Sequence, residues 1–118
     1  MWIRVALPVY WLALVVATHY PRVRIPGEIP QSDKLIHFAA FAILAVLFWL
    51  FMAARAPSWL IGLALIAYAG LDEYTQQFVG RDTDLVDWLA DVGGIVVVVG
   101  VLEARRALKR SDQRDDRR

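Results

Sequence analysis

The stretch LIHFAAFAILAVLFWLFMAA, residues 35–54, decides the fold. It is 20 residues long, and His37 is its only ionisable side chain. A helix that crosses a bilayer needs about 20 mostly apolar residues. The stretch therefore predicts a transmembrane helix, and Ser32 or Asp33 just before it is a suitable N-cap.

Three more apolar segments surround this stretch. A cleaved signal peptide is an alternative interpretation of the first one, because Arg4 precedes its apolar run. The third is apolar only up to Leu71, so a helix long enough to span must carry polar residues in its last turns. We expect an all-α membrane protein, a four-transmembrane-helix bundle over residues 1–104. The predicted helices are at about 5–20, 33–54, 57–77 and 84–104.

Charge is distributed unevenly along the chain. The 118 residues include 13 Lys and Arg, 12 Asp and Glu, and 58% hydrophobic residues. Residues 103–118 hold 11 of the charges, whereas residues 1–102 hold 14. A soluble domain spreads its charge over its surface, so this pattern argues against a soluble globular domain and against a disordered chain. It also argues against a basic nucleic-acid binder, and the lack of cysteine excludes disulfides and thiolate metal sites.

Lysine and arginine predict the orientation. With four spans, Arg4, Arg55 and the basic tail at 105–118 share one side, which carries nine basic residues. The opposite side carries four: Arg22, Arg24, Lys34 and Arg81. We therefore expect both termini in the cytoplasm, with the tail as a frayed helix end or a disordered segment.

Polar side chains converge at the extracytoplasmic end of three predicted helices. An ionisable residue inside a span costs about 2.5–3.5 kcal/mol and should face a partner or a hydrated cavity. These residues are therefore expected to form one site between the helices, and the alternative is an ion-paired plug that fixes helix register. The expected set is Asp33, Lys34, His37, Asp72, Glu73, Gln76, Arg81, Asp84, Asp87 and Asp91, with Gly93 and Gly94 offering a smooth patch to a neighbouring helix.

The residue types in this set suggest which members are catalytic candidates and which bind a ligand. His37 is the natural proton-transfer group, oriented by Asp33 or Asp87, so His37, Glu73 and Asp87 are the catalytic candidates. Lys34 and Arg81 would hold an anionic group such as phosphate, and the rest of the set would complete the ligand-binding site. The excess of acids implies raised carboxylate pKa values, a hydrated vestibule or a bound divalent cation. No established metal-binding motif accompanies it, so the cation stays open.

Two blocks of sequence at these residues resemble the VanZ-like family of small bacterial membrane proteins. The first is D-K-x-x-H-F-x-x-F at 33–41. The second is D-E-x-x-Q-x-F-x-x-R-x-x-D-x-x-D-x-x-x-D-x-x-G at 72–94. With the four-span layout, the resemblance covers about 33–100. Asp91 stands where the family pattern usually has asparagine, which replaces an amide donor with an acid.

The resemblance implies a multi-pass protein of the bacterial cytoplasmic (inner) membrane that belongs to the cell envelope. The family is named for an accessory protein linked to resistance to teicoplanin, a lipoglycopeptide antibiotic. We therefore expect a site that binds or processes a lipid-linked or otherwise amphiphilic envelope molecule, or a lipoglycopeptide antibiotic. The alternatives are a non-catalytic sequestering or interaction module and a proton- or cation-coupled carrier. Enzymatic activity and a homodimer both stay open.

Overall fold

A computed structural model describes residues 1–21, 32–52 and 55–115, and within these ranges all regular secondary structure is helical, without any strand. The predicted all-α class is therefore confirmed. A single 3-10 turn, Gln77–Val79, follows the third helix. The four α-helices are α1 (Ile3–His19), α2 (Ser32–Met52), α3 (Ser58–Gln76) and α4 (Leu85–Asp115).

Where the structure describes them, the helix ends lie within about two residues of the predicted bounds, except at the C-terminus. There α4 continues to Asp115, so most of the tail expected to fray from residue 105 is helical. The reason is local, because residues 102–115 contain neither glycine nor proline and are rich in strong helix formers. Three expectations lie outside the described residues: the helix end at 53–54, the loop with Arg22 and Arg24, and the last tail residues, 116–118.

Helix α2 lies at the centre of the packing, because it contacts the other three helices and makes its most extensive contact with α4. Gly94 permits this close approach. A Cβ at that position would overlap the carbonyl oxygen of Phe38 and lie 3.0 Å from the amide nitrogen of Ala42. At Gly94, the smooth patch expected on α4 thus packs against the backbone of α2. The buried apolar core comprises Leu7, Leu14, Phe41, Leu44, Ala45, Ile61, Leu65, Ala69 and Ile95.

Aromatic side chains attach α1 to its neighbours. The ring centroid of Trp11 lies 5.1 Å from that of Tyr68 and 5.7 Å from that of Phe48, both edge-to-face. The Tyr10 hydroxyl donates a hydrogen bond of 2.8 Å to the carbonyl oxygen of Ala40 on α2. These contacts place α1 against both α2 and α3.

Among the described residues, two helices are long and apolar enough to cross a membrane: α2 and, within α4, Leu85–Arg114. Helix α1 is apolar as well but has 17 residues. Large apolar side chains are exposed on every helix, for example Val9, Ile43, Leu63 and Val97. Water disfavours so much exposed apolar surface, so these features favour a lipid bilayer environment.

Candidate functional site

The candidate site lies at the polar end, by which we mean the end of the bundle where α1 and α3 finish and α2 and α4 begin. The structure brings the predicted site residues to this end. It divides them into a group between α2 and α4, a group between α1 and α3, and Arg81.

Lys34 is the centre of the first group. Its Nζ lies 2.7 Å from an Asp84 oxygen and 3.3 Å from an Asp33 oxygen, and it also donates to Asp87. The ammonium group is therefore the counter-ion of three carboxylates. The sequence predicts that Lys34 holds an external anion, and the structure surrounds its ammonium group with carboxylates of the protein itself.

Asp84 links this group to the ends of two helices. One carboxylate oxygen accepts a 2.8 Å hydrogen bond from the Val86 N–H, so Asp84 caps the N-terminus of α4. Its own N–H donates to Glu73 on α3. The Lys34 ammonium and, after it, the Val86 N–H hold the pKa of the Asp84 carboxyl below its ordinary value. Asp84 thus has a structural role at the start of α4, and its ligand-binding role stays a prediction.

His37 lies one turn deeper and is paired with an acid. Its Nδ1 is 2.9 Å from an Asp91 oxygen, and its Nε2 is 3.7 Å from an Asp87 oxygen. Both His37 and Asp91 are buried, the latter to 1% exposure. We expected Asp33 or Asp87 to orient the imidazole, whereas Asp91 makes the short contact. The reason is register: α2 and α4 both start at the polar end, so one turn along α2 corresponds to one turn along α4.

Asp72 organises the second group. Its carboxylate accepts hydrogen bonds of 3.3 Å from Thr18 on α1 and from Tyr68 and Gln76 on α3. The Gln76 amide nitrogen also donates to Glu73, while its buried Oε1 has no hydrogen-bond partner among the described residues. A buried carboxylate is thus solvated by neutral donors.

Sequence reasoning did not include α1 in the site. Besides its bond to Asp72, Thr18 accepts a bond on its carbonyl oxygen from Arg81. The adjacent His19 places its Nε2 2.9 Å from the Thr75 hydroxyl oxygen. The signal was present in the sequence, since both residues end the first apolar segment at the depth of the other polar groups.

A glycine turn positions Arg81. Gly80 has a φ of +77°, its N–H bonds to the Gln77 carbonyl, and the Arg81 N–H bonds to the Gln76 carbonyl. This pair of bonds is a Schellman motif, which ends the helix and fixes the direction of the chain that follows. Within the described residues, Arg81 has no carboxylate at ion-pair distance, and its Nη1 donates to the Thr18 carbonyl.

A cavity of about 470 Å³ opens between α1 and α2 at the polar end. Of the predicted site residues, Asp33, His37 and Arg81 line it, whereas the others lie in the hydrogen-bonded groups behind it. The remaining wall is mostly apolar. It is formed by Tyr10, Ala13, Leu14, Ala17, Thr18, Tyr20, Pro21, Ile36, Ala40 and Phe41.

The arrangement supports proton transfer more directly than metal chemistry. An imidazole that is hydrogen-bonded to a carboxylate and borders a cavity has the parts of a general acid–base group. Across the ranges the structure describes, no three His, Asp or Glu residues are arranged so that they could hold a metal ion. The divalent cation considered from the sequence therefore gains no support.

No known protein family, curated protein or solved structure matches this chain. Its function is therefore inferred from the cavity, from the polar groups behind it and from the two sequence blocks that carry them.

Proposed function

We propose that the chain is a VanZ-like, four-span protein of the bacterial cytoplasmic membrane, with both termini in the cytoplasm and its polar end outside. Three observations support this topology: the two sequence blocks, the asymmetry of lysine and arginine, and the packing of α1 and α3 alongside two helices of spanning length. Helix α3 has 19 residues. At 1.5 Å per residue it covers about 28 Å, close to the thickness of the hydrocarbon core.

We further propose that the site binds an amphiphilic molecule of the cell envelope, either a lipid-linked precursor or a lipoglycopeptide antibiotic. This proposal rests on the cavity, because its lining combines Asp33, His37 and Arg81 with an apolar surface along α1 and α2. Small-molecule sites are typically mostly apolar cavities with a few placed polar groups. The polar part of the ligand would lie at the polar end, and its apolar part would follow the helices.

A cavity-filling variant tests this proposal. Ala17 lines the cavity and is exposed, so Ala17→Trp fills the space without disturbing the core. The neighbouring Val16 is 57% exposed and does not line the cavity, so Val16→Trp is the matched control. The probes are fluorescent teicoplanin and a fluorescent lipid-linked oligosaccharide, each titrated against protein in maltoside detergent. We expect one of them to bind wild type and Val16→Trp, and Ala17→Trp to bind at least tenfold more weakly.

Two results would contradict the proposal. One is that neither probe binds wild type at micromolar concentration. The other is that Ala17→Trp binds as tightly as Val16→Trp, because the cavity would then not be the site.

Processing of the ligand and simple sequestration are both compatible with such a site. The His37–Asp91 pair favours processing, since a binding module needs no oriented acid–base group. His37→Gln distinguishes the two. An enzyme would keep its probe affinity and lose its resistance phenotype in the expressing cell, whereas a sequestering module would keep most of both.

A proton- or cation-coupled carrier is the third candidate. Below the polar end the helix interfaces are filled by apolar side chains, among them Leu44, Leu65 and Ile95. Within the described residues, these groups separate the polar end from the hydrogen bond between buried Ser58 and exposed Glu103 near the opposite end. We therefore expect proteoliposomes to show no flux driven by a pH gradient, and a measurable flux would favour the carrier.

A further inference from the structure

We propose that the amphiphile is a single-chain phosphate ester, whose phosphate is bound by Arg81 and whose chain enters the groove between α1 and α2. This inference rests on the proposed function and names the ligand class for the same cavity. It follows from the distribution of charge among the basic groups and from the shape of the apolar wall.

Lys34 and Arg81, the two basic side chains expected to hold an anion, differ in the partners that they already have within the protein. Lys34 is surrounded by the carboxylates of Asp33, Asp84 and Asp87. Arg81 lines the cavity and, in the part of the chain that the structure describes, donates from its side chain to the Thr18 carbonyl. A guanidinium carries five N–H donors in a planar fork, so donors are left for a ligand.

Arg81 is also held in place before any ligand arrives. The Schellman motif at Gly80 fixes its backbone, and the bond to Thr18 fixes one side of its fork. A preorganised guanidinium binds phosphate with two parallel hydrogen bonds and loses little conformational entropy on binding. The geometry is therefore that of an anion-binding group.

Charge favours phosphate over a carboxylate at Arg81, because a phosphate ester carries about −1.5 to −2 charge at pH 7 and a carboxylate carries −1. His37 lines the same cavity, but its ring nitrogens face Asp91 and Asp87 on α4, so the anion is bound by Arg81. Asp33 also borders the cavity, but the Lys34 ammonium lies 3.3 Å from its carboxylate. That pairing reduces the repulsion that a bound anion would otherwise feel.

The apolar part of the cavity is a groove that runs along α1 and α2. Ala13 and Ala17 are four residues apart on α1, and Ile36 and Ala40 are four apart on α2, so each pair forms a row along one helix face. The hydrogen bond from Tyr10 to the Ala40 carbonyl joins the helices at the inner end. From Asp33 to Ala40 the groove is about 10 Å deep. Such a groove takes the start of one hydrocarbon chain.

Dodecyl phosphate is the probe, measured by isothermal titration in a maltoside detergent. Inorganic phosphate, dodecanoate and a neutral dodecyl polyoxyethylene ether serve as comparison ligands. We expect dodecyl phosphate to bind at least tenfold more tightly than each of the three. Arg81→Gln should weaken dodecyl phosphate by about 10- to 100-fold, the effect of losing hydrogen bonds to a charged group.

Two further variants control this result. Arg81→Lys keeps the charge but not the planar fork, so we expect an intermediate affinity. Arg55→Gln removes an exposed arginine from the connection between α2 and α3 and should leave the affinity unchanged. Circular dichroism shows whether each variant keeps its helical fold, and Arg81→Lys keeps the test decisive if Arg81→Gln does not fold.

The outcomes distinguish this inference from the proposed function. Equal binding of the neutral ether or dodecanoate, or an unchanged affinity in the Arg81 variants, would overturn the phosphate assignment and leave an amphiphile site in place. Equal binding of inorganic phosphate would overturn the chain-binding groove. If Ala17→Trp leaves dodecyl phosphate binding unchanged, the cavity is not the site, and the proposed function fails with the inference.

Discussion

His37 Nδ1 and an Asp91 carboxylate oxygen lie 2.9 Å apart between α2 and α4, each on a helix that starts at the polar end. Both side chains are buried, so neither partner can exchange the other for water at low cost. The resemblance to VanZ-like proteins would place asparagine at position 91. Either residue offers the imidazole an oxygen acceptor, and they differ in the charge that the acid can carry.

We therefore predict that Asp91→Asn folds and stays within about 1 kcal/mol of wild type, because the amide oxygen can still accept the His37 N–H. Asp91→Leu should lose about 2–3 kcal/mol, since it leaves the imidazole buried without its partner. Thermal unfolding in maltoside detergent, followed by circular dichroism, measures both. Equal losses in the two variants would show that the pair needs the charge rather than the acceptor.

Lys34 gives the second prediction, because it is the counter-ion of three carboxylates. Lys34→Met removes that charge and leaves Asp87 buried without it, so we expect a loss of roughly 2–4 kcal/mol. Adding Asp87→Asn should recover part of the loss, because the carboxylate that has lost the Lys34 ammonium is then replaced by a neutral amide. Lys109→Met, in the exposed part of α4, is the matched control and should be nearly neutral. Additive effects of Lys34→Met and Asp87→Asn would argue against direct coupling.

The close contact of α2 and α4 gives the third prediction. Gly94→Ala places a methyl group against the Phe38 carbonyl, so the helices must separate, at a cost of about 1–3 kcal/mol. Gly100→Ala on the same helix meets no atom within 4 Å. Its effect should stay within about 1 kcal/mol, from helix propensity alone. The two unfolding temperatures compare the variants directly, and a neutral Gly94→Ala would mean that this interface adapts.

Acid sensitivity is the fourth prediction. The pKa of Asp84 lies below its ordinary value, chiefly because of Lys34, so its ionised form stabilises the folded state at pH values above the unfolded pKa of about 3.9. That contribution is lost as the pH falls through the lower folded pKa. Because the Asp84 side chain is 42% exposed, solvent screening limits the effect to about 0.5 kcal/mol.

Asp84→Asn should accordingly flatten the loss of stability between about pH 5 and pH 3, as measured by thermal unfolding across that range. Asp82→Asn, in the same exposed loop, is the control, and its profile should follow wild type. A steeper acid limb in Asp84→Asn would contradict the prediction, because it would mean that the ionised carboxylate opposes folding.

The helices and the location of the polar end could be predicted from the sequence, because apolar length and charge position are local properties. The stripe Asp84, Asp87 and Asp91 does face α2, as its spacing indicates. What the sequence could not supply was the partner of each group. The register of α2 against α4 is set where Gly94 packs against the Phe38 backbone. That register brings His37 into contact with Asp91.

The same limit explains why α1 was left out of the predicted site. Thr18 and Arg81 are 63 residues apart, and their bond depends on how α1 packs against the end of α3. No periodicity in either segment reports that packing. The ion pairs of Lys34 could not be predicted for a related reason. Composition shows an excess of acids, but only the fold shows which acids surround which base.

Membrane topology is the fifth prediction, and the absence of cysteine makes it simple to test. Single cysteines at Thr83, in the loop before α4, and at Ser111, near the end of α4, are both at exposed positions. We expect a membrane-impermeant maleimide to label Thr83→Cys in intact spheroplasts and to label Ser111→Cys only after the membrane is permeabilised. The cysteine-free parent controls for background labelling. Labelling of Ser111→Cys in intact cells would place the polar end in the cytoplasm, and a site there could not receive an antibiotic from outside.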